Sequence, residues 1–163
     1  MKKVLVVMGS DSDLKVMEKC VDRLKSFGIP TEVRICSAHR TPAVAEQLAK
    51  NAAGEGFGVI IAAAGKAAHL GGVLAAYTTL PVIGVPMATS VMGGMDSLLS
   101  IVQMPKGIPV ATVAIDGADN AAILAAQMIA LSDEALAEKL AQFKADMAAE
   151  VTAKYEKVRA QFA

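Results

Sequence analysis

Short apolar runs alternate along this chain with longer segments in which apolar residues recur every three or four positions. Five runs have the length and composition of buried strands, and they cover residues 3–8, 31–36, 59–64, 82–86 and 110–115. Because nearly every side chain in these runs is apolar, the pattern predicts strands of a sheet that is covered on both faces.

The segments between the runs have the spacing of helices. The first is marked by the apolar residues Leu14, Met17, Val21, Leu24 and Phe27. Gly28 is suited to end this helix, while Thr41 and Pro42 favour the N-cap and first turn of the next one. Further helical patterns cover residues 67–79, 96–103 and 119–131.

This alternation is typical of parallel strands joined by right-handed helical crossovers, so the sequence predicts an α/β protein built as a three-layer α/β/α sandwich. The 163 residues suffice for one domain with a substantial core, and no repeat or linker divides them. We expect a single domain over residues 1–163, in which residues 1–131 form the α/β core and residues 132–163 form a long C-terminal helix.

The C-terminal segment carries a stripe of apolar residues at helical spacing. Its members are Leu136, Leu140, Phe143, Met147, Val151, Tyr155, Val158 and Phe162. A helix of about thirty residues spans roughly 45 Å, which exceeds the expected width of the domain. We therefore expect its far end to pack on another subunit; the alternative is a helix that breaks and folds back.

Composition and charge limit the binding partners and the cellular compartment that the protein is expected to have. The formal net charge is zero, and no block of Lys or Arg indicates a nucleic-acid or anionic-membrane surface. The apolar runs are too short to span a bilayer, and no secretory leader is visible. Cys20 and Cys36 form neither a CxxC pair nor a metal-ligand cluster, so we expect core cysteines with reduced thiols in a cytoplasmic protein.

The candidate chemistry lies in the loops that follow the predicted strands. In a parallel α/β sheet, ligands bind outside the carboxyl ends of the strands. The loops after the first four strands cover residues 9–13, 37–40, 65–70 and 87–97. Both histidines of the chain, His39 and His69, fall within this set, which favours a shared functional site over two unrelated structural histidines.

The residue types in these loops fit a phosphorylated sugar. Ser10 and Ser12 precede a helix N-terminus, where they could hold a phosphate on free backbone N–H groups or merely cap the helix. Asp13 is suited to accept hydrogen bonds from the hydroxyls of a sugar, whereas its negative charge would repel a phosphate. Arg40 can clamp a phosphate with two parallel hydrogen bonds, and an imidazole such as His39 can transfer protons near neutral pH.

Several common cofactor and catalytic motifs do not fit. No GxGxxG follows the first strand, so a dinucleotide cofactor is disfavoured. Gly65-Lys66 resembles part of a P-loop, but Ile60 stands where its first glycine should be and Ala67 where Ser or Thr should follow. The third strand ends without the acceptor aspartate of a phosphorelay receiver, no GxSxG elbow occurs, and the dispersed histidines and cysteines indicate no metal site.

Several longer segments resemble one enzyme family. They are the stretches VVMGSDSD, SAHRTP, AAHL, PVIGVP, DSLLSIVQMP, IPVATVAI and NAAILAAQMIAL. These segments are similar to those of the bacterial 5-(carboxyamino)imidazole ribonucleotide mutases of purine biosynthesis. The resemblance implies a flavodoxin-like fold, a homo-octamer, no cofactor, and a ribonucleotide substrate whose carboxylate moves from the exocyclic nitrogen to a ring carbon.

The resemblance also implies roles for individual residues. The family's proton-transfer residue falls on His39, and its substrate-contacting positions fall on Ser10, Asp13 and Arg40. The other residues expected to line the pocket for the substrate and for trapped carbon dioxide are Ser12, Ser37, Ala38, Gly65, His69 and Leu70. Small residues suit such a pocket because they let the backbone approach the ligand.

Two alternatives and two departures accompany the resemblance. A related branch that carboxylates aminoimidazole ribonucleotide directly with carbon dioxide has Ser-Asn where this chain has Ala68-His69, so the mutase is favoured. A non-enzymatic sensor of a phosphosugar or nucleotide is the alternative of another class. The chain has Lys66 where glycine is usual and Gly71 where proline is usual, and the lysine could touch the substrate carboxylate or point to solvent.

Overall fold

Five parallel strands form one sheet in the computed structural model, which describes residues 1–162. The strands are β1 (Lys3–Met8), β2 (Thr31–Ile35), β3 (Phe57–Ala64), β4 (Val82–Pro86) and β5 (Ala111–Thr112). Their order across the sheet is β2-β1-β3-β4-β5, and every neighbouring pair is parallel. This is the strand order of flavodoxin-like folds. The chain places β2 on one side of β1 and then adds β3, β4 and β5 in turn on the other side.

Helices cover both faces of the sheet. They are α1 (Leu14–Ser26), α2 (Pro42–Ala52), α3 (Leu70–Tyr77), α4 (Met95–Val102), α5 (Ala118–Ala130) and α6 (Glu134–Gln161), with a 3₁₀ turn at Asp11–Asp13. One core joins the sheet to α1, α5 and the start of α6, and a second core joins the opposite face to α2, α3 and α4. The predicted three-layer sandwich with a flavodoxin-like sheet is therefore confirmed.

The central strand β1 supplies both cores. Val4, Val6 and Met8 face α1 and α5, whereas Leu5 and Val7 face the opposite layer, and all five are buried. Successive side chains of a strand point to opposite faces. An uninterrupted apolar run therefore lets one strand fill the space above and below the sheet, as the sequence pattern predicts.

The face that α5 turns to the sheet and to α1 is built from alanine. Its fully buried members are Ala118, Ala121, Ala122, Ala125 and Ala126. At the edge of this contact, Arg23 of α1 forms an ion pair with Asp119 of α5 at 2.7 Å. Small side chains bring the helix backbone close to its neighbours, so this layer is packed by close approach rather than by large interlocking residues.

The two edge strands differ from the prediction. β2 ends one residue early at Ile35, whose side chain is exposed, so the expectation of a sheet covered on both faces is wrong for this strand within a single chain. β5 comprises Ala111–Thr112 rather than residues 110–115, because its pairing with β4 involves two residues. The chain then turns away at Asp116, whose backbone is left-handed with φ of 55°.

Two features at helix starts also differ. α3 begins at Leu70 rather than at residue 67, because residues 65–69 form a loop at the edge of the sheet. Thr41 lies at the N-cap of α2, but its hydroxyl makes no capping hydrogen bond. The hydroxyl instead accepts the Ser37 N–H and donates to the Ser37 carbonyl, both at 3.0 Å, so it stabilises the turn that follows β2.

The first helix follows its predicted pattern apart from one end. Leu14 is exposed rather than packed, because it is the first residue of α1. Gly28 ends the helix as predicted, with φ of 78° and an N–H that donates to the Lys25 carbonyl at 2.8 Å. Cys20 of α1 and Cys36 after β2 are buried and free, as expected, and burial raises the pKa of Cys20 to about 12.

The C-terminal helix α6 is continuous, which excludes the alternative of a break. Asp133 caps it, since its Oδ1 accepts the Leu136 N–H at 3.0 Å. Leu136 and Leu140 are buried, but the rest of the stripe beyond Phe143 is exposed, namely Met147, Val151, Tyr155, Val158 and Phe162. Within residues 1–162, no helix combines the length and the apolar character that a membrane span requires.

Close packing of α4 on the sheet depends on Gly84 of β4. A Cβ at this position would clash with Cγ2 of Ile101 and would lie 3.0 Å from Cγ1 of Val110. Ile101 is buried and β-branched, so its methyl group cannot rotate away freely. We expect Gly84→Ala to lower the free energy of unfolding by about 1–3 kcal/mol, because overpacking outweighs the roughly 0.4–1 kcal/mol gained by restricting the unfolded chain.

Urea and thermal unfolding measure this change, with Gly54→Ala as the matched control. Gly54 lies in an exposed turn where an added Cβ would lie 3.5 Å from the Asn51 carbonyl oxygen, so its substitution should change stability by less than about 0.5 kcal/mol. If the clash is the cause, Gly84→Ala costs less in an Ile101→Ala background. An equal cost in both backgrounds would contradict the explanation.

Candidate active site

A cleft of about 670 Å³ opens at the carboxyl ends of β1, β2, β3 and β4. Its walls come from the loops that follow these four strands. All the residues that the sequence suggests as site residues line it, namely Ser10, Ser12, Asp13, Ser37, Ala38, His39, Arg40, Gly65, His69 and Leu70. The fold thus brings these residues to one edge of the sheet, while their individual roles remain predictions.

The loop after β1 is held by its own side chains. Ser10 Oγ accepts the Ser12 N–H at 3.3 Å and donates to Asp11 Oδ1 at 3.1 Å. Ser12 Oγ donates to Asp13 Oδ1 at 3.3 Å. The Ser12 amide is therefore not free, and the capping role that the sequence left open is the one that Ser10 performs. Ser10 acts as a cap here, and its rotatable hydroxyl would also have to serve any phosphate bound beside it.

The loop after β2 presents Arg40 to the cleft. Its backbone N–H and its Nε donate to Ser37 Oγ at 3.2 and 3.5 Å, and its Nη2 donates to the Gly9 carbonyl at 3.4 Å. The guanidinium thus bridges the loops after β1 and β2. Within residues 1–162 it forms no ion pair, so its charge is not neutralised by a neighbouring carboxylate.

The two histidines meet across the cleft. Nε2 of His39 lies 2.8 Å from Nδ1 of His69, and the ring planes cross at 76°. One nitrogen must donate the proton of this hydrogen bond and the other must accept it, so at least one ring is neutral whenever the bond is made. The pair can therefore hold one mobile proton between loops that follow β2 and β3, which is the chemistry of general acid–base catalysis.

The loop after β3 is anchored to α4 at Lys66. The Lys66 N–H donates to Oγ of the buried Ser97 at 2.9 Å. Ser100 Oγ lies 3.4 Å from the Lys66 carbonyl, but its closer acceptor is the Asp96 carbonyl at 2.7 Å. Lys66 has φ of 57°, a left-handed conformation that costs a residue with a Cβ about 1 kcal/mol. The hydrogen bond to Ser97 stabilises the backbone in this conformation beside His69.

The sequence analysis included the loop after β4 among the candidate loops but named no individual site residue in it. Its cleft-lining residues are Met87, Ala88, Thr89 and Ser90. The Ala88 N–H donates to Asp116 Oδ1 at 2.9 Å, and Thr89 Oγ1 donates to Asp96 Oδ1 at 2.8 Å. Their position after a buried strand was the available signal, but their side chains carry no distinctive chemistry.

Asp13 is the acidic residue of the cleft whose ionisation is perturbed. Burial is the largest cause and raises its pKa above the ordinary value of 3.8, and the charges of Asp11 and Asp116 raise it further. Hydrogen bonds from Ser12 and from the backbone of Ser10 oppose this shift. The ionised carboxylate is thus less favourable in the folded protein than in the unfolded chain.

We expect Asp13→Asn to raise the melting temperature at pH 8. The cost of ionising Asp13 is fully present above its raised folded pKa, and it disappears as the pH falls below 3.8, where both states are protonated. The gain should therefore shrink on acidification toward pH 3.5. Thermal unfolding across this range is the measurement, and the exposed Asp22→Asn is the matched control. A gain that grows on acidification would contradict the assignment.

Within residues 1–162, no group of three or more His, Cys, Asp or Glu is arranged to hold a metal ion. The titratable groups of the cleft are instead the histidine pair, one carboxylate, one guanidinium and one ammonium group. These groups can move a proton, accept hydrogen bonds from hydroxyls and bind anions. This combination suits a phosphorylated, hydroxyl-bearing small molecule that undergoes proton transfer.

Comparison with known proteins extends this description. A relative from Methanocaldococcus jannaschii named N5-carboxyaminoimidazole ribonucleotide mutase is 52% identical over 159 residues, which cover 98% of this chain and 99% of the relative. One of the same name from Thermotoga maritima is 52% identical over 158 residues, covering 97% and 92%. The crystal structure of Treponema denticola PurE superposes with a TM-score of 0.84 at 30% identity, covering 94% of this chain and 96% of that one. The family model described as AIR carboxylase matches residues 3–150, so the chain belongs to this family.

Proposed function

We propose that this protein is an N5-carboxyaminoimidazole ribonucleotide mutase of purine biosynthesis, an isomerase that moves a carboxylate from the exocyclic nitrogen of its substrate to a ring carbon. The observation that carries the proposal is the His39–His69 hydrogen bond in a cleft that Arg40 and Asp13 also line. A proton carrier, an anion-binding group and an acceptor for hydroxyls thus share one cavity. Relatives that are 52% identical carry this name.

The proposed binding mode follows the chemistry of each wall. Arg40 and the serine loop at Ser10 and Ser12 bind the phosphate, because guanidinium and hydroxyl groups donate to its oxygens. Asp13 accepts hydrogen bonds from the ribose hydroxyls, a role that its partly buried carboxylate can perform without meeting the phosphate charge. The imidazole base then lies near Ser37 and Ala38 and close to the histidine pair.

The proposed reaction needs one proton carrier. His39 donates a proton to the exocyclic nitrogen as the bond between that nitrogen and the carboxylate carbon breaks, which releases carbon dioxide within the cleft. The electron-rich ring carbon attacks the carbon dioxide and forms the new carbon–carbon bond. His39 then removes the proton from that ring carbon, so its own protonation state is restored at the end of each turnover.

His69 and the small residues around it complete the proposed site. Through its hydrogen bond, His69 fixes the orientation of the His39 ring. Gly65, Ala67 and Leu70 form the wall on which carbon dioxide is held, and their small or apolar side chains exclude water without competing for the gas. Retention matters because escaped carbon dioxide would leave the decarboxylated ribonucleotide as a dead-end product.

The direct carboxylase and the non-enzymatic sensor are not favoured. The relatives described above are named mutases, and Ala68-His69 stands where the carboxylating branch has Ser-Asn. We further propose a single mutase domain over residues 1–163, cytoplasmic localisation and assembly as a homo-octamer. The uncovered apolar stripe on the far half of α6 supports assembly, because exposed apolar surface of this kind is typical of subunit interfaces.

The function is tested by mixing the purified protein with the carboxyamino ribonucleotide and following ultraviolet absorption without added ATP or metal. The expected result is formation of the ring-carboxylated product at a rate independent of added bicarbonate. Aminoimidazole ribonucleotide with bicarbonate, supplied in a parallel assay, distinguishes the direct carboxylase. Tight binding without product formation would instead support the sensor.

We expect His39→Asn to lower kcat by at least about 10²-fold, because it removes the proton carrier, while the Kd of the product changes little. The chain contains two histidines, so His69→Asn is the natural comparison. It removes the orienting partner but keeps the proton carrier, and its loss of kcat should be smaller. Steady-state kinetics and calorimetry provide both values, and near-normal kcat in His39→Asn would refute the mechanism.

Assembly through α6 predicts that Tyr155→Glu/Val158→Glu lowers the particle mass. Both side chains belong to the exposed stripe, and burying two carboxylates in an apolar interface is unfavourable. Light scattering should give eight times the chain mass for the unmodified protein and a smaller particle for the variant. Lys154→Glu/Lys157→Glu on the same helix is the control and should leave the mass unchanged. A monomeric unmodified protein at micromolar concentration would contradict the octamer.

A further inference from the structure

We propose that Lys66 is a second anion-binding group of the cleft and binds the migrating carboxylate, while Arg40 binds the phosphate. This inference rests on the proposed function. It assigns a separate cation to each anionic group of the ribonucleotide. It also gives a ligand-binding role to the residue at which the chain departs from the usual glycine.

The two cations line the cleft from loops that follow different strands. Arg40 follows β2 and contacts the Gly9 carbonyl after β1, on one flank of the cleft. Lys66 follows β3 and is anchored by Ser97 of α4, on the side of β4. In the strand order β2-β1-β3-β4, the two residues therefore follow strands on either side of β1, and each belongs to the loop that carries one member of the histidine pair.

The charges around Lys66 leave its ammonium group free for a ligand. Within residues 1–162, no Asp or Glu forms an ion pair with Lys66. The acidic residue that lines the cleft, Asp13, belongs to the loop after β1 and forms no ion pair with Lys66. An anion bound near His69, such as the carboxylate of the substrate or of the product, would therefore meet a positive charge that has no internal partner.

Lys66 is an exposed residue that lines the cleft, and its backbone adopts an uncommon conformation. Its left-handed conformation is one that glycine adopts without strain, yet a lysine occupies it. The hydrogen bond from its N–H to Ser97 Oγ ties the loop to α4 at this position. Strained residues held in this manner concentrate at ligand-binding sites.

Calorimetric titration of the full-length protein with two ligands tests the inference. One ligand is the reaction product, which carries the ring carboxylate, and the other is aminoimidazole ribonucleotide, which lacks it. Lys66→Met keeps the length of the side chain and removes its charge. We expect the Kd of the product to rise about tenfold, which corresponds to about 1.4 kcal/mol, and the Kd of aminoimidazole ribonucleotide to stay within twofold.

Three further variants separate charge from backbone effects. Lys66→Arg should keep the affinity for the product, whereas Lys66→Gly should lose it as Lys66→Met does, even though glycine relieves the strain. Lys106→Met, at an exposed position outside the cleft, is the matched control and should leave both affinities unchanged. Melting temperatures of all variants verify that the chains are folded.

The outcomes distinguish this inference from the proposed function. If the unmodified protein forms product but Lys66→Met and Lys66→Gly bind both ligands normally, Lys66 points to solvent and the inference alone is overturned. Equal weakening of both ligands also overturns it, because the effect would not depend on the carboxylate. If the unmodified protein binds neither ligand and forms no product, the proposed function fails as well.

Discussion

The register of strand pairing around β1 is the constraint on which the cleft depends. Met8, the last residue of β1, is level with Ile35 of β2 and with Ala63 of β3. The loops that carry the serine turn, the arginine and both histidines therefore begin at one height above the sheet. A shift of one residue in either pairing would exchange the side chains that fill the two cores, which differ in size and shape. The apolar pattern that fills the two cores thus also determines where the cleft loops begin along the strand direction.

Local periodicity explains how much of this arrangement could be read from the sequence. Apolar runs and helical spacing place the strands, and the carboxyl edge of a parallel sheet gathers the loops that follow them. The contact between His39 and His69 could not be predicted in the same way, because the two residues are 30 positions apart. Their 2.8 Å separation depends on turn conformations at Thr41 and Lys66, which hydroxyl groups stabilise.

Hydrogen bonds of polar side chains account for most of the remaining differences between the predicted and the observed structure, and several of them join residues that are far apart in the sequence. Thr41 looks like a helix cap by residue type, yet its hydroxyl stabilises the turn before the helix. Ser97 accepts a hydrogen bond from the Lys66 N–H, 31 positions away in the sequence, and Asp116 accepts one from the Ala88 N–H, 28 positions away. Such partners follow from tertiary geometry, so neither periodicity nor local motif reveals them. Asp13 and Lys66 also carry conformational or ionisation costs, which are common where binding requires them.

The alanine face of α5 has a consequence for how this scaffold can change. A bigger residue at Ala121 or Ala125 would force neighbouring core side chains out of their preferred rotamers or shift the helix backbone. A random substitution library should therefore be depleted of tolerated variants across this layer. Variation that alters ligand preference is left to the carboxyl edge of the sheet, where the loops can change without moving the framework beneath them.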